Sequence, residues 1–324
     1  LSVMAQMCDF VVMGEKAKMF VNSPNAIEGN FEGKLDTSAA DFQEKEAGNA
    51  DIVCDEASVY DNVRALVSML PSNNEDADCV DECEDDLNRV CANIAGYGND
   101  AVSIITMIAD NNDYVELKAN YAKSMTTGFI KLNGATVGVV ANTKGDNKDN
   151  VLSAKGCEKA AAFVNFCDAF EIPVLTFTSV KSICNCECNE KKIAKAMAKL
   201  TYAFANASVP KVNVIYGDVY GSAVSVMNSK ALGCDMTFAW DNAKVGMMDA
   251  KLAAQIIADG KSEDEVKKTE DEYKALQNSI DSYARRGYAD TVISADDTRK
   301  YVIGALDMLF TKREDRPLKK HGAF

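Results

Sequence analysis

The sequence predicts an α/β fold, a mainly parallel sheet covered by crossover helices. Three observations carry this. Strand-like runs at 172–178, 211–216 and 236–240 alternate with helical segments at 155–170, 193–207 and 298–309. Asn133-Gly134, a strong two-residue hairpin signal, separates apolar runs at 128–132 and 135–141. A chain of 324 residues is long enough to bury a sizeable core, in two lobes or one large domain.

Taken in order, residues 5–21 hold apolar runs at 10–13 and 19–21 around a polar GEKAK segment, which predicts two short strands about a turn. Residues 23–50, rich in Asn, Gly, Asp and Ala, predict a loop and a short acidic helix. Val59, Val63, Leu66, Val67 and Leu70 recur at helical spacing, so a helix is expected from Asp55 to Leu70, stopped by Pro71. Between Glu75 and Asp86 stand eight carboxylates without one Lys or Arg, the pattern of an extended, solvated linker. The predicted organisation is therefore residues 1–74, an acidic linker at 75–99, and a second lobe at 100–324.

That second lobe opens with a helix at 101–109, a strand near Tyr114 and the hairpin. A helix at 155–170 follows, with Ala160, Phe163, Val164, Cys167 and Phe170 on one face. Strand, helix and strand come next. A charged helix at 262–283 and an amphipathic one at 298–309 close the pattern.

Composition narrows the function. Lys+Arg is 35 against Asp+Glu 49, a formal charge of −14, which argues against nucleic-acid binding and against docking on an anionic leaflet. The single histidine, His321, leaves no dyad and no multi-His metal site. No apolar run approaches a membrane span and no signal peptide is visible, although a start at Leu1 leaves the gene's own start open. Of eleven cysteines, Cys8, Cys54, Cys157, Cys167 and Cys234 sit among apolar neighbours, which predicts core thiols in a reducing cytoplasm. Two clusters stand apart, Cys79/Cys83/Cys91 and Cys184/Cys186/Cys188. Neither has the paired spacing of structural zinc, so no metal is expected.

The candidate site is the junction at 212–227, where a strand runs into Gly217 and Gly221-Ser222-Ala223 opens a helix. Small residues let a ligand approach the backbone, and the first N–H groups of a helix point outward unsatisfied. Two such amides can stabilise an oxyanion in a chain that has no His base. The same small residues also suit close packing alone.

Residues 127–142 (TGFIKLNGATVGVVAN) resemble the strand pair opening the second half of biotin-dependent acyl-CoA carboxyltransferases. Residues 159–177, 209–212, 220–230, 232–240, 287–293 and 316–322 resemble its later segments in the same order. Residues 9–13 and 19–24 resemble the closing portion of its first half. The resemblance implies a crotonase-like ββα spiral, one complete half plus the tail of another. It implies that Tyr220 and Gly221 lead into a biotin site, with the amides of Ser222 and Ala223 binding the ureido oxygen and Ser225 sizing the acyl pocket. Biotin would arrive on a separate carboxyl carrier protein and a coenzyme A thioester would be the substrate. Biotin carboxylase or decarboxylase subunits, a dimer to hexamer, or a complementary N-half subunit are the implied partners.

Departures from the family pattern keep other readings open. Ser222 stands where the family has glycine, 180–190 replaces a Pro-Gly-Phe loop, and the first half's glycine-rich acyl-CoA segment is absent from these residues. The alternatives are a non-catalytic or half-site subunit of such a complex, or another crotonase-like acyl-CoA enzyme. The last would need carboxylates at the centre, for which Asp218 and Asp249 are the candidates.

Overall fold

The computed structural model describes residues 1–30, 34–74, 81–145 and 150–314. Glu75, Asp76, Asp78, Cys79, His321 and the family-like segment 316–322 lie outside them. The second lobe is one mixed sheet. β3 (Tyr114–Leu117), β4 (Met125–Leu132) and β5 (Ala135–Asn142) pair antiparallel; β7 (Val174–Val180), β9 (Lys211–Tyr220), β10 (Met236–Trp240) and β12 (Thr291–Ile293) then run parallel from β5. Parallel neighbours need long crossovers, and the helices between them supply these.

The helices α3 (Ala154–Ala169) and α4 (Glu187–Asn206) cover one face; α2 (Ala101–Ile108) and α9 (Thr298–Leu309) cover the other. β9 shows the alternation that follows. Val212, Val214 and Tyr216 pack with Ile104, Ile105, Val302 and Ile303, while Ile215 and Val219 pack with Val164, Ile193 and Leu200. Both faces of this strand are covered, and its apolar residues are interrupted by buried Lys211 and Asn213.

The hairpin forms as its turn residues require. Asn133 and Gly134 take φ of 54° and 77°, the left-handed pair of a two-residue turn. A Cβ on Gly134 would collide with the carbonyl of Asp81, whose own N–H donates to the Gly134 carbonyl at 3.0 Å. Gly134→Ala is therefore expected to cost about 1–3 kcal/mol in urea denaturation, and Asn133→Gly at most a few tenths.

The front segment differs from expectation. Residues 5–21 form no hairpin. A turn of helix at Ser2–Ala5 precedes β1 (Val12–Gly14), which pairs in parallel with β2 (Ile52–Cys54), forty residues on, through Val12↔Ile52. Met19 turns into a small core with Met13, Ala40 and Ala50. The helix expected from Asp55 begins at Val59 as α1 (Val59–Ser68), because the Asp55 carboxylate accepts from the N–H groups of Ala57 and Ser58 and holds a turn before it. Leu66 and Met69 join the main core, and Phe10 meets Phe166 edge-on at 4.7 Å, so this segment docks on α3.

Other elements also shift. β9 continues through Gly217 to Tyr220. The charged helix splits into α7 (Glu263–Leu276) and α8 (Ile280–Arg285), with buried Asn278 between them. Residues 187–192 belong to the start of α4, not to a loop. Cys157, Cys167 and Cys234 are buried as expected, but Cys8 is exposed and Cys54 only half-buried. Among the acidic residues, Asp85 is not solvated: it takes Arg89 through Nε at 2.9 Å and Nη2 at 3.0 Å.

Candidate active site

Residues 221–223 follow the C-terminal end of β9, the end at which parallel sheets collect ligands. Three constraints shape the turn. β11 (Val245–Gly246) pairs in parallel with Val219 and Tyr220, and the Gly221 N–H donates to the Gly246 carbonyl at 3.0 Å. Gly221 has φ of 66°, which favours glycine, and redirects the chain into the short helix α5 (Ala223–Val226). Ser222 already has helical angles, and its carbonyl accepts from Ser225 and Val226, both at 3.1 Å.

The result is two consecutive amides without an acceptor. Among the described residues, nothing accepts a hydrogen bond from the N–H of Ser222 or of Ala223. Ser222 is exposed, whereas Ala223 is fully buried. A buried N–H without a partner costs free energy, so its retention points to an acceptor supplied from outside the chain. A carbonyl or anionic oxygen is the kind of acceptor such a pair of donors takes. Ser225 is exposed one turn on, beside the pair.

The turn is fixed from behind by a polar network within the apolar sheet. Asn213 Oδ1 accepts from Thr176 Oγ1 at 2.9 Å and Thr178 Oγ1 at 2.8 Å. Asn228 Nδ2 donates to Thr176 Oγ1 at 3.0 Å, and the Met227 carbonyl takes Asn213 Nδ2 at 3.5 Å. All four side chains are buried. They tie the end of α5 to β7 and β9 and leave its first turn little freedom. Sequence reasoning missed these residues; three polar side chains inside otherwise apolar strands were the signal.

Tyr220 is half-buried, and its hydroxyl is pushed up to about 12, first by burial and then by the charges of Asp218 and Asp249. The structure thus brings both carboxylates into the electrostatic reach of Tyr220. Asp249 is already committed, accepting from the Lys251 N–H at 3.0 Å as the cap of α6 (Ala250–Ile257). Tyr220 is consequently a neutral hydroxyl at neutral pH, able to donate or accept a hydrogen bond.

The chain is similar to known proteins along nearly its whole length. The family profile described as carboxyl transferase domain matches residues 3–324. The chain is 34% identical over 336 residues to the methylmalonyl-CoA carboxyltransferase 12S subunit of Propionibacterium freudenreichii subsp. shermanii, covering 98% of this chain and 63% of that protein. It is 35% identical over 345 residues to the propionyl-CoA carboxylase beta chain of Saccharopolyspora erythraea, covering 97% and 63%. The crystal structure of the transcarboxylase 12S hexamer with hydrolysed methylmalonyl-coenzyme A matches with a TM-score of 0.90 at 32% identity, over 97% of this chain and 64% of that one. The chain spans a little under two thirds of the length of these relatives. Its sheet, its crossover helices and the match along its whole length agree on one conclusion: this chain belongs to the carboxyl transferase domain family and has the crotonase-like fold of the 12S subunit.

Proposed function

We propose that the chain is the carboxyltransferase component of a biotin-dependent acyl-CoA carboxylase or decarboxylase, and that its biotin side is built by Tyr220, Gly221, Ser222 and Ala223. The observation that carries this is the pair of unaccepted amides at Ser222 and Ala223, where Gly221 turns the chain at the C-terminal end of β9. Biotin, carried on a separate protein, would supply the reversible carrier of the carboxyl group. The chain's own part is electrostatic. Two neighbouring amides left without an acceptor would serve an oxygen on which negative charge grows. Ser222 departs from the family's glycine but keeps the N–H.

In this reading residues 1–74 close an N-terminal half, 75–99 join the halves, and 100–324 form the biotin-side half, with Ser225 at the acyl pocket. The substrate is a small acyl-CoA such as propionyl- or methylmalonyl-CoA, the class named for the relatives. The partners are a biotin carrier, a carboxylase or decarboxylase subunit, and further copies in a dimer-to-hexamer assembly. Among the described residues no helix is long and apolar enough to cross a membrane.

Ala223→Pro tests the site. Proline removes one donor but disfavours the helical angles of the preceding Ser222, so circular dichroism and thermal unfolding of the variant are read before its activity. In the native assembly, biotin-dependent decarboxylation of methylmalonyl-CoA is expected to fall about a hundredfold, as when one oxyanion donor is removed. Ser222→Gly should retain activity. Unchanged turnover in the proline variant, with its circular dichroism intact, would overturn the assignment.

A further inference from the structure

One cluster of nucleophiles lies outside the amide pair. β8 (Ser182–Ile183) pairs with β6 (Val151–Leu152), and the chain then places Cys184, Cys186 and Cys188 at the start of the twenty-residue helix α4. Cys184 Sγ lies 3.7 Å from Cys186 Sγ, which lies 2.7 Å from Cys188 Sγ. Cys186 and Cys188 are exposed and Cys184 is half-buried; all three are free thiols. We propose that Cys186 and Cys188 form a dithiol–disulfide site, with Cys186 the attacking thiol, Cys188 the resolving thiol, and small-molecule disulfides as the oxidants.

The cluster is built, not incidental. The Cys184 N–H donates to the Leu152 carbonyl at 2.9 Å, and the Cys184 carbonyl accepts from Asn189 Nδ2 at 2.7 Å. Asn189 is buried, and its Oδ1 takes the Ala154 N–H at 2.6 Å, so one side chain ties the cysteine segment to the start of α3. Cys186 is the N-cap of α4 in an extended conformation, where the helix's first N–H groups favour a thiolate. Hydrogen bonding from Cys188 further holds the Cys186 thiol below its ordinary range, while the same contact raises that of Cys188. Nucleophile and partner are thus differentiated. Among the described residues no group of three metal-ligating side chains has the geometry of a cation site, and thiol exchange is the chemistry that the trio's spacing serves.

The step balances without a cofactor. Cys186 thiolate attacks one sulfur of the small disulfide; a new S–S bond forms, the reagent's bond breaks, and the first thiolate leaves and takes a proton. Cys188 then loses its proton and attacks Cys186 Sγ, releasing the second thiol. Two protein thiols are oxidised and one disulfide is reduced. Because β7 and β9 run parallel, this segment emerges at the same end of the sheet as Gly221.

The test uses the whole chain and glutathione disulfide. After reaction, alkylation and trypsin, the peptide 182–191 holds all three cysteines, and exposed Cys8 serves as the internal reference. The expected product is an internal disulfide with one alkylated cysteine, formed roughly tenfold faster than glutathionylation of Cys8. Cys184→Ser should still form the disulfide, and Cys188→Ser added to it, which removes both neighbouring thiols, should trap a stable glutathione adduct at Cys186. A rate equal to that of Cys8, or a lasting glutathione adduct in the native chain, would overturn the proposal without recourse to any variant. Neither result bears on carboxyl transfer.

Discussion

Replacing Arg299 by methionine is expected to lower the free energy of unfolding by about 3–5 kcal/mol. The guanidinium has no solvent exposure and makes ion pairs with Asp110 at 2.6 Å and with Asp85 at 3.5 Å. It also donates to the carbonyls of Ile108 at 2.5 Å and Asp86 at 3.3 Å. Asp110 is itself buried and accepts from the N–H groups of Asn133 at 3.2 Å and Gly134 at 2.7 Å. Methionine fills much of the volume, so the loss is electrostatic: a buried carboxylate keeps two amide donors and loses its counter-charge. Adding Asp110→Asn should recover part of the loss, because the uncompensated charge goes with it. Equilibrium urea denaturation checks both variants. A loss under about 1 kcal/mol for Arg299→Met would mean that water replaces the guanidinium.

The same pair marks a limit of sequence reading. Eight like charges predict a solvated linker, and composition alone cannot show that one of them, Asp85, meets two arginines, one of them more than two hundred residues away. Local signals were legible. Asn133-Gly134 specifies its own turn, and Thr298–Leu309 carries its periodicity within one segment. The front segment was not, because β1 finds its partner across forty residues and a parallel pair leaves no turn signature between its strands. The early start of α4 at Glu187 was not legible, because sequence does not show that Asn189 is anchored on α3. At the candidate site the primary constraint was readable: glycine is favoured at the φ of residue 221, and small residues follow it. The support was not, since Thr176, Asn213 and Asn228 converge only after two crossovers bring β7 beside β9.

Lys159→Met is expected to cost about 2–4 kcal/mol and to expose how the front segment is held. Lys159, nearly fully buried on α3, donates through Nζ to the carbonyls of Lys118 at 2.8 Å, Tyr121 at 3.1 Å and Met125 at 2.8 Å. The segment it clamps carries the front lobe: the Lys118 N–H donates to the Asp51 carbonyl at 2.7 Å, and Asp51 Oδ2 accepts from Val11 at 2.8 Å. Burial pushes the Lys159 ammonium down to about 7, although the charges of Glu116 and Asp51 oppose this; burial likewise raises Asp51. The sign of the pH effect follows. Between about 7 and its ordinary value of 10.5 this lysine holds more proton in the unfolded chain than in the native one, so its contribution to stability grows as pH rises and is least below 7. The methionine variant lacks that slope. The gap between native and variant stability should therefore widen from about pH 6.5 to pH 9, and a flat or narrowing gap would mean that the three carbonyls keep the ammonium charged throughout. Limited proteolysis separates the two consequences of the substitution. If Lys159 acts through the 118–125 segment, cleavage within residues 1–74 should speed up in the variant while the parallel sheet stays protected, since this polar clamp adds to the Phe10–Phe166 and Lys155–Glu46 contacts that join that lobe to α3.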